Sequence, residues 1–197
     1  MNTRTVLLFS GGYDSLAAAH YLLQSDRLAA TLFVGYGQPA AEMERGACRR
    51  AELGVPHYEV SAPLPHLAKM ADDDGKPGPR VVPGRNTFLA SLGVNVAVQV
   101  GAGRVALGCT ADDAEAYPDC RRAWQKSLSQ LLWVTYGVTL SLPWVSLSKR
   151  AVAAEARAYG WDMTEAWSCY TPWQGKPCGE CNSCVERAAL PDDEEEM

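Results

Sequence analysis

Short runs rich in Val, Leu and Phe recur along the chain, and between them apolar positions repeat at helical spacing. The runs at 4–9, 30–37, 57–62, 104–109 and 139–145 predict strands, and the stretches 15–25, 39–53, 86–101, 119–136 and 148–159 predict helices. Strand–helix alternation of this kind predicts an α/β fold: an open parallel five-stranded sheet with helices on both faces. The connection 63–85 breaks the rhythm. It is long, charged and turn-rich, as a lid or a partly disordered loop would be, and its Asp72-Asp73-Asp74 run reads as solvated rather than as a metal site. No internal repeat is present.

Ligands of open parallel sheets bind beyond the carboxyl ends of the strands. That rule gathers "SGGYDS", "GYGQ", "GCTADDAEAYPDCR" and "SLSK" into one crevice. The first is the most informative, because a strand-to-helix turn with two glycines and three oxygen-bearing side chains suits an anion. Gly11 and Gly12 let bare backbone N–H groups approach it, Ser10 and Ser15 add hydroxyls, and Asp14 could position Mg²⁺. The plainer reading is a tight turn in which Asp14 caps the following helix. The Gly-Lys-Ser/Thr ending of a Walker loop is absent, and so is the G-x-G-x-x-G fingerprint.

Length and charge narrow the classes. The 197 residues favour one domain with a small appended module. The net charge of −5 equals the five acids Asp192, Asp193, Glu194, Glu195 and Glu196, so the rest is balanced and draws in neither nucleic acid nor anionic lipid. With no signal pattern and no apolar run of membrane-spanning length, a cytoplasmic location is expected.

Seven cysteines in a reducing compartment are not a disulfide framework, and their number is odd. Cys169, Cys178, Cys181 and Cys184 follow one another at nine, three and three residues, a spacing suited to a closed tetrahedral zinc shell. Such a shell leaves no open position, so the metal would be structural. The rivals are an iron–sulfur cluster and unligated buried thiols. Cys48 reads as a helix residue without a role, while Cys109 and Cys120 fall near the crevice without an activating histidine. His20, His57 and His66 have no visible metal or triad partner. Trp124, Trp133, Trp144 and Trp161 are expected in the core.

The turn "FSGGYDS" resembles the Ser-Gly-Gly-x-Asp-Ser loop of the N-type ATP pyrophosphatases, which hold the pyrophosphate of ATP there and transfer AMP to a substrate oxygen. Further segments occur in order: "YGQ" with Glu42, "VPGRN", "GCTADDAEAYPDCR", "PWVSLSK" and "WSCY…CGECNSCVER". Together, from about Val6 to Arg187, they resemble the 7-cyano-7-deazaguanine synthase family. The resemblance implies a Rossmann-like sheet of the adenine nucleotide alpha hydrolase type over 1–165, a zinc module over 166–187 and an acidic disordered tail over 188–197. It also implies a homodimer, with small-molecule partners and no direct nucleic-acid contact. Where that family has Asp-Tyr-Gly-Gln and then a basic pair, this chain has Gly35-Tyr36-Gly37-Gln38 and Pro39-Ala40.

The implied reaction converts 7-carboxy-7-deazaguanine, ammonia and Mg²⁺-ATP into the nitrile. The substrate carboxylate is adenylated, ammonia displaces AMP to give an amide, and a second adenylation on the amide oxygen permits nitrile formation. Positioning and charge stabilisation would do most of the work. The resemblance places ATP on Phe9, Ser10, Gly11, Gly12, Tyr13, Asp14, Ser15, Leu16 and Arg85, with Ser10, Asp14, Ser15 and Lys149 in the chemistry. Asp119 is the expected reader of the paired N1–H and 2-amino donors, with Asp112 and Asp113 as alternatives or Mg²⁺ ligands. Arg121 is a further anion-binding candidate, and Tyr117 or Trp167 could stack on the ring. Competing readings are a paralogue that stops at the amide or passes the activated acid to another amine, such as a protein, and a non-catalytic nucleotide-binding module. A tRNA-thiolating relative fits less well, for want of a basic surface.

Overall fold

A computed structural model describes residues 2–64 and 82–190. His66, the Asp72-Asp73-Asp74 run, most of the 63–85 connection and residues 191–197 of the tail lie outside the described residues.

Five strands form one parallel sheet: β1 (Thr5–Leu8), β2 (Leu28–Gly35), β3 (His57–Ser61), β4 (Arg104–Ala106) and β5 (Thr139–Ser141), in the order β3-β2-β1-β4-β5. The four residues of β1 and the eight of β2 are all buried, so their apolar runs need no alternation. Successive side chains of β1 enter opposite faces: Val6 and Leu8 join one core cluster, Leu7 and Phe9 the other. Helices α3 (Arg85–Gln99) and α5 (Arg122–Tyr136) cover the first face; α1 (Tyr13–Gln24) and α6 (Lys149–Ala158) cover the second, and α2 (Ala41–Arg50) joins β2 to β3. From β1 the chain runs outward through β2 to β3, then returns to the other side of β1 for β4. The reversal opens a crevice beyond the carboxyl ends of β1 and β4.

Two helices lie where none was expected. Helix α4 (Ala111–Ala116) is short, and a capping box fixes its start: Asp113 Nα donates to Thr110 Oγ1, while Thr110 Nα donates to Asp113 Oδ2 at 2.8 Å. Helix α7 (Asn182–Ala188) lies within the cysteine-rich segment. The helix expected over 119–136 starts later, because Pro118–Cys120 forms a 3₁₀ turn and Arg121 breaks to an extended conformation. Of the tryptophans expected inside, Trp144 is buried and Trp124 and Trp161 pack against the core rim. Trp133 corrects that expectation: it is 46% exposed on α5, beside exposed Leu131, Val134 and Tyr136. Its aromatic type favours a core, but its position on α5 points it away from the sheet. Among the described residues, no helix is long and apolar enough to cross a membrane.

Candidate active site

The glycine turn stands at the centre of the crevice. Gly11 has φ +72°, and a Cβ there would come within 2.7 Å of the Glu44 carbonyl oxygen and 2.9 Å of Ala47 Cβ, so the turn lies directly against α2. Ser10 and Ser15 hydroxyls meet at 3.1 Å, and Ser15 Oγ donates to the Gly12 carbonyl at 2.9 Å. Gly12 caps α1 without a side-chain hydrogen bond, which leaves the first-turn amides open to an anion. Asp14 is therefore no N-cap. It lies in the first turn of α1, with Oδ2 3.5 Å from Lys149 Nζ and Oδ1 buried without a hydrogen-bond partner. Burial pushes its carboxyl up to about 6; Lys149 opposes the rise, and Asp113 adds to it.

Lys149 opens α6, and its Nζ also reaches Glu186 Oε2 at 2.6 Å. Burial works against its charge, but Asp14 and Glu186 more than offset this and raise its pKa. Arg85 opens α3 at the opposite wall, its guanidinium 5.9 Å from the centre of the Tyr36 ring. Phe9, Ser10, Gly12, Tyr13, Asp14, Ser15, Arg85, Asp113, Lys149 and Trp167 all line the crevice. Leu16 lies beneath it as core, and Gly11 acts through its backbone, accepting the Trp167 amide at 2.8 Å.

Other expected substrate residues have structural partners. Asp112 Oδ2 accepts the backbone N–H of Lys149 at 2.7 Å, completing the start of α6. Arg121 is exposed and donates to the Ala114 carbonyl at the end of α4. Asp119 Oδ2 accepts the Asn86 backbone N–H at 3.1 Å at the start of α3, and none of these three lines the crevice. Tyr117 lines a side compartment, as do Tyr36, Gln38, Glu44, Arg85, Asp113 and Tyr170.

Several lining residues escaped the sequence reading. Glu44 is a polar residue of ordinary type on α2, and nothing in its spacing marks it. Gln38, by contrast, belongs to the GYGQ segment that the strand-end rule had brought to the crevice. Tyr170, Ser183 and Arg187 come from the cysteine-rich segment, from which the sequence reading drew only the four cysteines and Trp167. Arg187 stacks over Tyr13, its guanidinium 4.3 Å from the ring centre. Cys109 and Cys120 do line the crevice, but the hydrogen bond with Cys120, followed by burial, holds the Cys109 thiol well above its usual pKa, which disfavours a nucleophilic thiolate there. Cys48 donates to the Phe9 carbonyl at 3.2 Å. His20 bonds the Asp162 carbonyl and His57 the Thr31 hydroxyl, as expected of structural histidines.

The four C-terminal cysteines converge. Their sulfurs all lie within 4.8 Å of one another, with Cys169 to Cys178 at 3.5 Å and Cys178 to Cys184 at 3.9 Å. Backbone N–H groups of Cys178 and Cys181 point at cysteine sulfurs, as they do around thiolates. The group could hold a metal ion.

Residues 4–190 match the family described as QueC, Queuosine biosynthesis protein QueC. A 7-cyano-7-deazaguanine synthase of Alteromonas mediterranea is 32% identical, over 95% of this chain and 93% of the relative. One from Psychromonas ingrahamii is also 32% identical, over 95% of this chain and 92% of its own length. Among solved structures, a U34-tRNA thiolase, NcsA of Methanococcus maripaludis with its [4Fe-4S] cluster, superposes with a TM-score of 0.58 at 17% identity, covering 94% of this chain and 64% of that one. NMN synthetase of Francisella tularensis gives 0.57 at 16% identity, covering 98% and 80%. These two likenesses show the fold. The matched span and the identity to full-length relatives show more: the chain belongs to the 7-cyano-7-deazaguanine synthase family, QueC.

Proposed function

We propose that the chain is an ATP-dependent ligase that converts 7-carboxy-7-deazaguanine and ammonia into 7-cyano-7-deazaguanine through adenylated intermediates and an amide. The observation that carries this reading is the crevice itself. An uncapped helix start at the glycine turn lies in a crevice that shares Tyr36, Glu44, Arg85 and Tyr170 with a side compartment, in a chain of this family.

In this reading the open amides of α1, with Ser10 and Ser15, hold the departing pyrophosphate. Asp14, with its unpartnered Oδ1, meets the Mg²⁺ that enters with ATP. Lys149 lies 3.5 Å from Asp14 and carries positive charge to the phosphates. Arg85 stands where the two compartments join, suited to the substrate carboxylate and the α-phosphate together. Tyr117 offers a ring face to the base. Asp112, Asp119 and Arg121 support the site by fixing helix ends.

For the cysteines we propose one structural Zn²⁺. At a zinc–sulfur distance of about 2.3 Å, tetrahedral ligands lie roughly 3.8 Å apart. The observed 3.5 and 3.9 Å fit a single ion. A four-iron cluster places each thiolate on a different iron and spreads them farther than this. The functional units we assign are 1–165 for nucleotide chemistry, 166–187 for the metal module and 188–197 for a solvated tail. We place the enzyme in the cytoplasm, where ATP is supplied and thiols stay reduced, with small molecules as partners and no nucleic acid needed. We further propose a homodimer through the apolar face of α5, for which light scattering should return twice the 21.3 kDa chain mass.

The test is incubation with 7-carboxy-7-deazaguanine, Mg²⁺-ATP and ammonium, with products identified by mass. Acid-dependent AMP and pyrophosphate together with the nitrile are expected. ADP with phosphate would exclude adenylation, and accumulation of the amide would identify an enzyme that stops one step short.

A further inference from the structure

The side compartment is distinct from the glycine turn. None of Ser10–Ser15 lines it; three tyrosines, Tyr36, Tyr117 and Tyr170, do. It therefore offers aromatic side chains beside polar groups rather than phosphate-binding amides, a lining suited to a planar ring with a polar edge. A deazaguanine also presents two adjacent donors, N1–H and the 2-amino group, that call for a carboxylate.

Of the described carboxylates near the crevice, Asp14 keeps Oδ1 unpartnered and is given to Mg²⁺ by the functional reading, and three others are each held at a helix start. Asp14 pairs with Lys149, and Asp113 Oδ2 takes both the backbone N–H and the hydroxyl of Thr110, at 2.8 and 2.9 Å. Asp112 and Asp119 cap helices outside the cavity. Glu44 remains. It projects from α2 into both compartments, and among the described residues only Gln38 donates to its side chain, Nε2 to Oε2 at 2.7 Å. Gln38 is buried and fixed on its other side, since its Oε1 accepts the Tyr36 backbone N–H at 2.8 Å. Gln38 thus orients the carboxylate through one lone pair of Oε2, and among the described residues no other hydrogen bond to either oxygen is found, so both can accept from a ligand.

We infer that Glu44, oriented by Gln38, is the residue that reads the N1–H and 2-amino edge of the deazaguanine, in place of the Asp119 that the sequence favoured. The inference rests on the functional reading above for the identity of the ligand. Burial raises the Glu44 pKa, with Gln38 and Arg85 pulling it back, so two ligand donors would find a poorly hydrated acceptor. Glu44 also lies against the back of the glycine turn, where its carbonyl meets Gly11, so base and phosphate sites share one support.

The experiment compares full-length, metal-loaded E44Q, E44D and D119N with the unaltered chain. Acid-dependent pyrophosphate release is measured with 7-carboxy-7-deazaguanine and ATP varied separately, and acid binding is measured directly by calorimetry. E44Q should raise KM for the acid about tenfold to hundredfold, as loss of a charge-assisted pair predicts, and leave KM for ATP within about twofold. It should also reduce discrimination against the analogue lacking the 2-amino group, a change that a merely structural residue would not cause. E44D keeps the charge and should recover part of the loss. A rise in KM for ATP alone would reassign Glu44 to the ribose and overturn the inference. So would an acid-specific defect in D119N but not in E44Q, or unaltered constants in every variant. If the unaltered chain releases no acid-dependent pyrophosphate, the functional reading has failed. Calorimetry then still judges Glu44, because acid binding that survives E44Q overturns its role.

Discussion

Burial lifts the Asp14 carboxyl from 3.8 to about 6, against the pull of Lys149 and with the help of Asp113. The unfolded chain gives up this proton near the ordinary value, so between about pH 4 and 6 the folded state binds more protons than the unfolded. Stability from this group therefore falls as pH rises through that window and does not return above it. Asp14→Asn should melt at or above the temperature of the unaltered chain at pH 7.5, with the two converging near pH 4, when followed by calorimetry. Turnover should be lost. In the unaltered enzyme, kcat/KM for ATP should climb with pH through about 6, and this limb should be missing from any residual activity of Asp14→Asn. A carboxylate that costs stability where it works is what a functional site, rather than a helix cap, would show.

At the scale of elements, two glycines separate packing from chemistry. Gly93 on α3 faces the sheet, and a Cβ there would lie 2.7 Å from Leu8 Cδ2 and 2.7 Å from Val105 Cγ1. Gly108 follows β4, where a Cβ would lie 2.9 Å from the Asp14 carbonyl carbon and 3.0 Å from Ser15 N, both backbone of the first turn of α1. That turn is held from another side as well, because Trp144 Nε1 donates to the Asp14 carbonyl at 3.0 Å. Gly93→Ala should cost about 1–3 kcal/mol in urea unfolding and leave KM for ATP nearly unchanged. Gly108→Ala should lose a similar amount and also raise KM for ATP about tenfold, because only backbone can yield there. Equal KM values in the two variants would remove β4 from the support of the glycine turn.

Across the whole molecule, the cysteine-rich segment and the sheet domain meet at Lys149. Helix α7 is capped by Cys181 and carries Glu186, which bonds Lys149, and Arg187, which covers Tyr13. In the proposed function, binding a metal there would therefore also build one wall of the ATP site. Cys181→Ser should lose most of its metal, melt at a lower temperature and bind ATP at least about tenfold more weakly. Glu186→Gln should keep its metal and its melting temperature while shifting only the Lys149-dependent rate. Metal analysis, thermal melting and ATP titration on the two variants distinguish a wall from a staple. If Cys181→Ser sheds its metal yet binds ATP normally, the module stabilises the chain without shaping the site.

Local and chemical features were determined by the sequence alone. The apolar runs fixed the strands of a sheet covered on both faces, because a fully buried strand needs no alternation and can be read without its neighbours. Gly11, Gly12 and the spacing of the four cysteines were legible for the same reason: each motif carries its own geometry. Residues whose roles depend on distant partners were not legible. Asp119, Asp112 and Arg121 share the chemistry of ligand-binding residues, and only tertiary structure turned them toward helix ends. Glu44 and Tyr170 were ordinary in sequence until the strand order β3-β2-β1-β4-β5 and the folded cysteine segment brought them to one cavity. Trp133 shows the same limit from outside, since helical period gives a face but not what covers it. A side chain's type is local, whereas what it touches is decided by chain segments up to a hundred residues and more away, as the Lys149–Asp14 and Trp144–Asp14 contacts show.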